Sequence, residues 1–240
     1  MMNGDAYHAD RRTGPPGPTR RRPSNRPFVP LADELFLVLL DESTGRFLAA
    51  RSIVALSLAA GLIAELAAHL DVSGDRLIVV GRKPPQDALT HKILDQMAGE
   101  SRTHPTHDWL AFFSQNSVDQ ISERMASRGL IRIESRRRLL SKEELYFTDD
   151  PSTAAWPLVR LRRYLTQPDP APLTGRDAFL MVATDATGLR QELIEHGSQD
   201  GREMARSRLD AIRKQVPNPW GHLAQHLAAA VGTAVQTHRT

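Results

Sequence analysis

His222 and His226 stand four residues apart near the end of this 240-residue chain, a spacing that puts two imidazoles on one face of a helix, where they could share a metal ion. No Glu follows the first of them and no third ligand is identifiable, so they read as a surface or groove-lining pair. His104 and His107 flank Pro105 in a loop and read the same way. Asp149 and Asp150 precede Pro151, where carboxylates open a helix more readily than they form an acid–base pair. Cysteine is absent, which removes disulfides, thiol catalysis and thiolate metal sites. There is no Gly-rich phosphate loop, nucleophile elbow or zinc-protease helix motif. These residues point away from enzyme chemistry and toward binding, with no metal or cofactor expected.

Arginine is the residue type with the most to say about partners. Only Lys83, Lys92, Lys142 and Lys214 of the 31 basic residues are lysines. Residues 118–128 form an amphipathic helix ending at Gly129, followed at once by segments 130–134 and 139–147 that read as a β-hairpin with a basic tip at 135–138. With Arg132, Arg136, Arg137 and Arg138, that arrangement is one alternative reading: the recognition helix and wing of a winged-helix DNA-binding regulator using residues 118–147. Asp119 and Glu123 on the same helix would face phosphates unfavourably. The hairpin could equally be a solvated surface feature or a contact between copies of the chain by strand pairing.

The elements that must position these residues are mostly helical. Aromatics are only 5%, and the apolar content rests on Leu and Ala, favouring helices packed on helices. The reading is a mainly α fold, a helical bundle around a central hydrophobic helix at residues 53–70, with a protruding β-hairpin. That segment is long enough to raise the question of a membrane span, but Glu65 deep in lipid costs about 2–3 kcal/mol, so a buried helix of a bundle is expected. Other helices are expected at 31–40, 87–98, 106–113, 118–128, 156–165, 177–196, 201–215 and 219–236. Residues 41–45 make a turn, 77–80 a short strand and 167–172 a Pro-rich linker.

Residues 1–29 are rich in Pro, Gly, Arg and Ser and too poor in apolar side chains to offset the entropy of ordering, so they read as a disordered arm preceding a domain over 30–240. The Arg20-Arg21-Arg22 run lacks a following apolar stretch, which argues against a signal peptide. Residues 1–30 carry six arginines against Asp5 and Asp10, a net +4, whereas the whole chain is +3. The body is therefore close to neutral, and nucleic acid is not an expected partner.

At this point several blocks resemble one family. Leu31-Ala32-Asp33-Glu34-Leu35 through Leu39-Leu40-Asp41-Glu42-Ser43-Thr44-Gly45 is similar to the opening helix and turn of the Golgi phosphoprotein 3 family, including its bacterial members. Ala60-Gly61-Leu62-Ile63-Ala64-Glu65-Leu66 resembles that family's central helix. In the same order follow Asp108-Trp109-Leu110-Ala111-Phe112-Phe113-Ser114, Ile121-Ser122-Glu123-Arg124-Met125 with Gly129-Leu130 and its hairpin, and the segment 178–193. The resemblance covers roughly residues 31–235.

The resemblance implies a peripheral membrane or protein-binding scaffold, cytoplasmic or at the inner face of the membrane. Eukaryotic relatives read phosphatidylinositol 4-phosphate, hold Golgi enzymes in place and engage a vesicle coat through an Arg-containing arm. Their lipid pocket uses one Trp and three Arg. Carried onto this chain from Glu65, the Trp position falls on Ala50 and the first Arg on Ala59; from Glu123-Arg124, the other two fall on Asp119 and Ser122. Three missing arginines forfeit at least about 4.5 kcal/mol, on the order of a thousandfold in affinity, so specific recognition of that lipid is not carried over. What is expected instead is nonspecific attachment to an anionic membrane surface or lipid headgroup through Arg20, Arg21 and Arg22, with Phe47, Leu48, Ile53 and Val54 at a membrane-approaching loop and Arg51 beside it. A protein partner for the arm and a homo-oligomer through the hairpin are further expectations. A third reading places an acyl ligand in a roomy groove beside Ala59, Ala60 and Gly61.

Overall fold

The computed structural model describes residues 29–81, 83–138, 141–195 and 197–237. Residues 1–28, with Arg20, Arg21 and Arg22, lie outside the described residues, as do Arg82, His196 and the ends of two expected segments. The first helix, α1 (Leu31–Val38), is buried along its whole length, including Asp33 and Glu34. It begins after Pro30, whose lack of a capping side chain is made good from outside, since Glu65 Oε1 accepts from the Ala32 N–H at 2.9 Å.

β1 (Leu40–Asp41) and β2 (Arg46–Phe47) form a small antiparallel pair around the turn expected at 41–45. The Asp41 carboxylate accepts from the Ser43 amide and from the Ser43 and Thr44 hydroxyls, which holds the carboxyl below its usual range. Gly45 sits at φ 71°, and a Cβ there would lie 2.7 Å from the Phe147 ring, so only glycine fits.

α2 (Arg51–Ala64) is the centre of the fold, packing against α1, α4 (Thr106–Ser114), α5 (Ser117–Ser127) and α10 (Trp220–Thr237). Val54, Leu58, Ala59, Ala60, Leu62 and Ile63 are fully buried. A Cβ on Gly61 would stand 3.1 Å from the Ala32 backbone. The missing side chain lets α1 and α2 approach closely, and the roomy groove anticipated beside Ala59, Ala60 and Gly61 is occupied here by α1.

The central helix is shorter than the anticipated 53–70. It ends at Ala64, and the chain passes through a 3-10 turn at Ala67–His69 into β3 (Leu70–Ser73), which pairs antiparallel with β4 (Arg76–Val79). The expected strand at 77–80 needed a partner, and the end of the apolar run supplies it across Gly74 at φ 61°. Fourteen residues span about 21 Å, short of a bilayer core of roughly 30 Å. Among the described residues no helix is long and apolar enough to cross a membrane.

α3 (Ala88–Gly99) starts from Asp87, whose carboxylate accepts from the Thr90 amide. β5 (Arg132–Arg138) and β6 (Ser141–Phe147) form the protruding hairpin. Its turn was expected at 135–138, but β5 runs through those positions, and residues 139–140 lie outside the described residues. Ser-Arg-Arg-Arg contains no Gly, Pro, Asn or Asp to reverse the chain, whereas Arg136 opposite Glu143 favours continued pairing.

α6 (Pro151–Thr166) opens five residues before the expected start, with Asp150 as its cap and Pro151 at its first position. The helix expected over 177–196 is two: α7 (Gly175–Ala186) and α8 (Arg190–Ile194), separated by Gly188 at φ 83°. α9 (Gln199–Gln215) and α10 complete a mainly α bundle whose only sheets, among the described residues, are two-stranded hairpins.

Candidate functional site

Phe47, Leu48, Ala50, Arg51 and Asp119, singled out in the sequence, lie at one edge, where the β1–β2 loop, the start of α2, the hairpin and α5 meet. Aromatic packing builds the edge: Phe36, Phe47 and Tyr146 form a mutual cluster with centroids 5.0, 5.1 and 5.3 Å apart. The Tyr146 amide donates to the Gly45 carbonyl at 2.8 Å, tying hairpin to loop. The Leu48 amide donates to the Leu39 carbonyl at 2.9 Å, so the loop backbone is fixed while the Leu48 side chain remains 40% exposed.

Arg51, in the first turn of α2, reaches across to α5 and pairs with Asp119 at 2.7 Å. Its other amino group donates to the Tyr146 hydroxyl at 3.3 Å, and that hydroxyl donates to Glu144 at 3.2 Å. Burial lowers the Arg51 pKa, but Tyr146, Asp119 and Glu144 outweigh it, so the guanidinium stays charged. Burial raises the Tyr146 pKa, with Arg51 pulling against it. On the other side of the loop Arg46 pairs with Glu143 at 3.1 Å, and Glu143 lies across the ladder from Arg136.

Of the positions aligned with the relatives' lipid pocket, Ala50 is exposed and immediately precedes α2, and Asp119 is exposed and joined to Arg51. Ser122 is buried one turn below, its hydroxyl donating to the Asp119 carbonyl at 3.0 Å. Ala59 is separate from them, 0% exposed in the core contacts of α2. Arg46 and Arg51 at this edge already face carboxylates where an anionic headgroup would need an open cation. Arg136 and Arg137 are exposed on β5, opposite Glu143 and Lys142, while the Arg138 side chain lies outside the described residues.

The largest set of interacting charges was not anticipated. Arg124 of α5 is buried and meets Asp33 of α1 at 2.6 Å, Asp87 at 2.8 Å and Glu65 at 3.1 Å. Arg128 joins at 2.5 Å from Asp87, and the Thr90 hydroxyl donates to Glu65 at 2.5 Å. Burial pushes Asp33 up to about 6 despite its arginine partner, whereas Asp87, although burial raises it, ends below its usual range because of the Thr90 amide and Arg124. A second group joins Glu34 to Arg160 at 2.8 Å and Arg176 at 3.0 Å, with Arg160 also 2.8 Å from Asp177. The first-turn acids of α1 thus serve as anchors for distant elements more than as partners of the helix dipole. The readable signal was an ionisable residue inside an apolar stretch, which demands a buried partner.

The expected recognition helix, α5, buries Arg124, and its exposed face presents Asp119, Glu123 and the ion-paired Arg128. His222 shares a 2.7 Å hydrogen bond with Thr106, and its ring lies 4.4 Å from that of His226. Among the described residues no three His, Asp or Glu side chains are arranged to hold a metal ion.

Fold and edge together define a mainly helical, hairpin-bearing domain whose strongest ion pairs connect its own elements. The Golgi phosphoprotein 3 (GPP34) family model matches residues 31–237, and the chain belongs to that family. No curated protein matches it.

Proposed function

We propose that this protein is a docking scaffold that catalyses no reaction and attaches peripherally to an anionic membrane surface, at the cytoplasmic face, without specific recognition of phosphatidylinositol 4-phosphate. The observation that supports the reading most is Leu48, an apolar side chain held out from a pinned loop between Arg46 and Arg51. Immersing such a side chain contributes up to about 2 kcal/mol. The edge itself is nearly charge-balanced, because Arg46 and Arg51 face Glu143 and Asp119. Long-range attraction therefore falls to the net +4 of residues 1–30, at roughly 1 kcal/mol per basic residue near the surface.

The test is sedimentation with vesicles of phosphatidylcholine containing phosphatidylserine, at low and high salt. Expected is binding at low salt, weakened about tenfold or more by Leu48→Asp, which both removes apolar contact and adds repulsion. Adding phosphatidylinositol 4-phosphate at equal total charge should change nothing. No sedimentation at low salt would remove the membrane from the proposal.

A further inference from the structure

A pocket of about 220 Å³ opens between α6, the linker at 167–172 and α7. Trp156, Leu161 and Tyr164 of α6, Met181 of α7 and Pro172 of the linker make its walls chiefly apolar. Arg160 and Asp177, which also line it, already have partners. Arg160 donates to both Glu34 oxygens, at 2.8 and 3.0 Å, and Asp177 accepts from Arg160 at 2.8 Å and from the Thr174 hydroxyl at 3.0 Å. An apolar cavity of about 150 Å³ holds benzene, so this space takes one aromatic ring. The chain itself brings such a ring to the rim. Arg176 of α7 holds the Val29 carbonyl, and Arg176 and Arg160 both donate to Glu34 Oε2 at 3.0 Å, so residue 29 stands two side chains from the pocket. Phe28 is the next residue, one peptide or about 3.8 Å away along the chain. It is also the one large apolar side chain between Tyr7 and Val29.

We infer that Phe28 of the same chain occupies this pocket and fastens the Arg-rich arm to the face made by α6 and α7. The tether decides the occupant. A ring held one residue from a fixed point is present at an effective concentration on the order of millimolar or more, which neither a free ligand nor the arm of a second copy matches in dilute solution. Arg163, exposed on the pocket's rim, can lie against the face of the ring. Docking also fixes where the arm's charge leaves the body. Arg22 is six residues upstream of Phe28, at most about 21 Å of extended chain.

The experiment is NMR of the full chain in dilute solution, read at the Met181 methyl, which is assigned by its loss in Met181→Leu. Nuclear Overhauser contacts from the Phe28 ring to that methyl are expected. Phe28→Ala should abolish them and shift the methyl, while the buried methyls of Met97 and Met125 stay in place. In urea unfolding, Phe28→Ala should lower the folding constant by about tenfold, the effect of one partly buried ring, whereas deleting residues 2–24 should leave it unchanged within about twofold. Absence of contacts between Phe28 and Met181, or a Met181 methyl unmoved by Phe28→Ala, overturns the inference and leaves the pocket to a ligand from outside the chain. Contacts that appear only as protein concentration rises assign the ring to a second copy and overturn it as well. The pocket contains no residue of the Leu48 edge and the measurement needs no vesicles, so the two proposals fail separately.

Discussion

Asp33 is where a single residue's environment makes a measurable demand. It has no exposed surface, and its carboxyl is raised to about 6 from 3.8, chiefly by burial. The folded protein therefore holds this proton more tightly than the unfolded chain. The resulting stability is fully present below about pH 4 and is lost as pH rises through about 6, a change of about 3 kcal/mol. The Asp33→Asn variant lacks that titration. In urea unfolding followed from pH 4 to pH 7.5, the stability of the wild type relative to the variant should fall as pH rises. A relative stability that rises instead would mean that Arg124 outweighs burial at this carboxylate. Arg124→Met is expected to be far more damaging at neutral pH, by about 3–5 kcal/mol, because it leaves Asp33 and Glu65 buried without their shared cation. Adding Asp33→Asn to Arg124→Met should recover part of that loss, which a double-mutant cycle in the same unfolding assay measures.

Between elements, the closest fit is α1 on α2 at Gly61. Gly61→Val places atoms where the Ala32 backbone already lies, so α1 must move, and with it Asp33 and Ala32, which bind Arg124 and Glu65. Overpacking typically costs 1–3 kcal/mol, and the coupled charges push this variant to at least about 3 kcal/mol by thermal unfolding. Gly61→Ala leaves a contact at 3.1 Å that a small shift absorbs, and should cost about 1 kcal/mol or less. A gain in stability from both, larger for Ala than for Val, would show that helix propensity, not the α1 contact, governs the site.

The same comparison explains what the sequence made legible. The apolar run of α2 and the amphipathic faces of α4 and α5 were readable because burial imposes a helical period. The end of α2 was not, because Leu66 and Leu70 are equally at home in a helix or against the core, and only the pairing of Leu70 with Val79 decides between them. β1 and β2, two residues each, are too short to leave a period at all. At the candidate site, Arg51 and Asp119 could be named from sequence, but 68 positions separate them and no local pattern shows that they meet. The hairpin was visible while its turn was misplaced, since an arginine run looks like an exposed tip until the pairing of Arg136 with Glu143 is known.

At the scale of the whole molecule the question is which part supplies membrane affinity, and magnitudes separate the contributors. Residues 1–30 carry net +4, the body sums to −1, and at the hairpin edge Arg46, Arg51 and Arg132 are paired with carboxylates. Replacing Arg20, Arg21 and Arg22 with Ser removes three charges and so up to about 3 kcal/mol, roughly a hundredfold in vesicle affinity at low salt. Because that attraction is screened within about a Debye length, the difference should shrink steadily as salt rises toward 0.5 M. Leu48→Asp acts through contact as well as charge, so much of its loss should persist at high salt. One set acts through charge at a distance and the other chiefly through apolar contact, and the combined variant should show additive losses in free energy. If the triple Ser variant sediments like the wild type at low salt, attraction resides in the body instead. Arg136 and Arg137, exposed on β5, are then the residues to neutralise next, with the same salt series deciding whether they carry it.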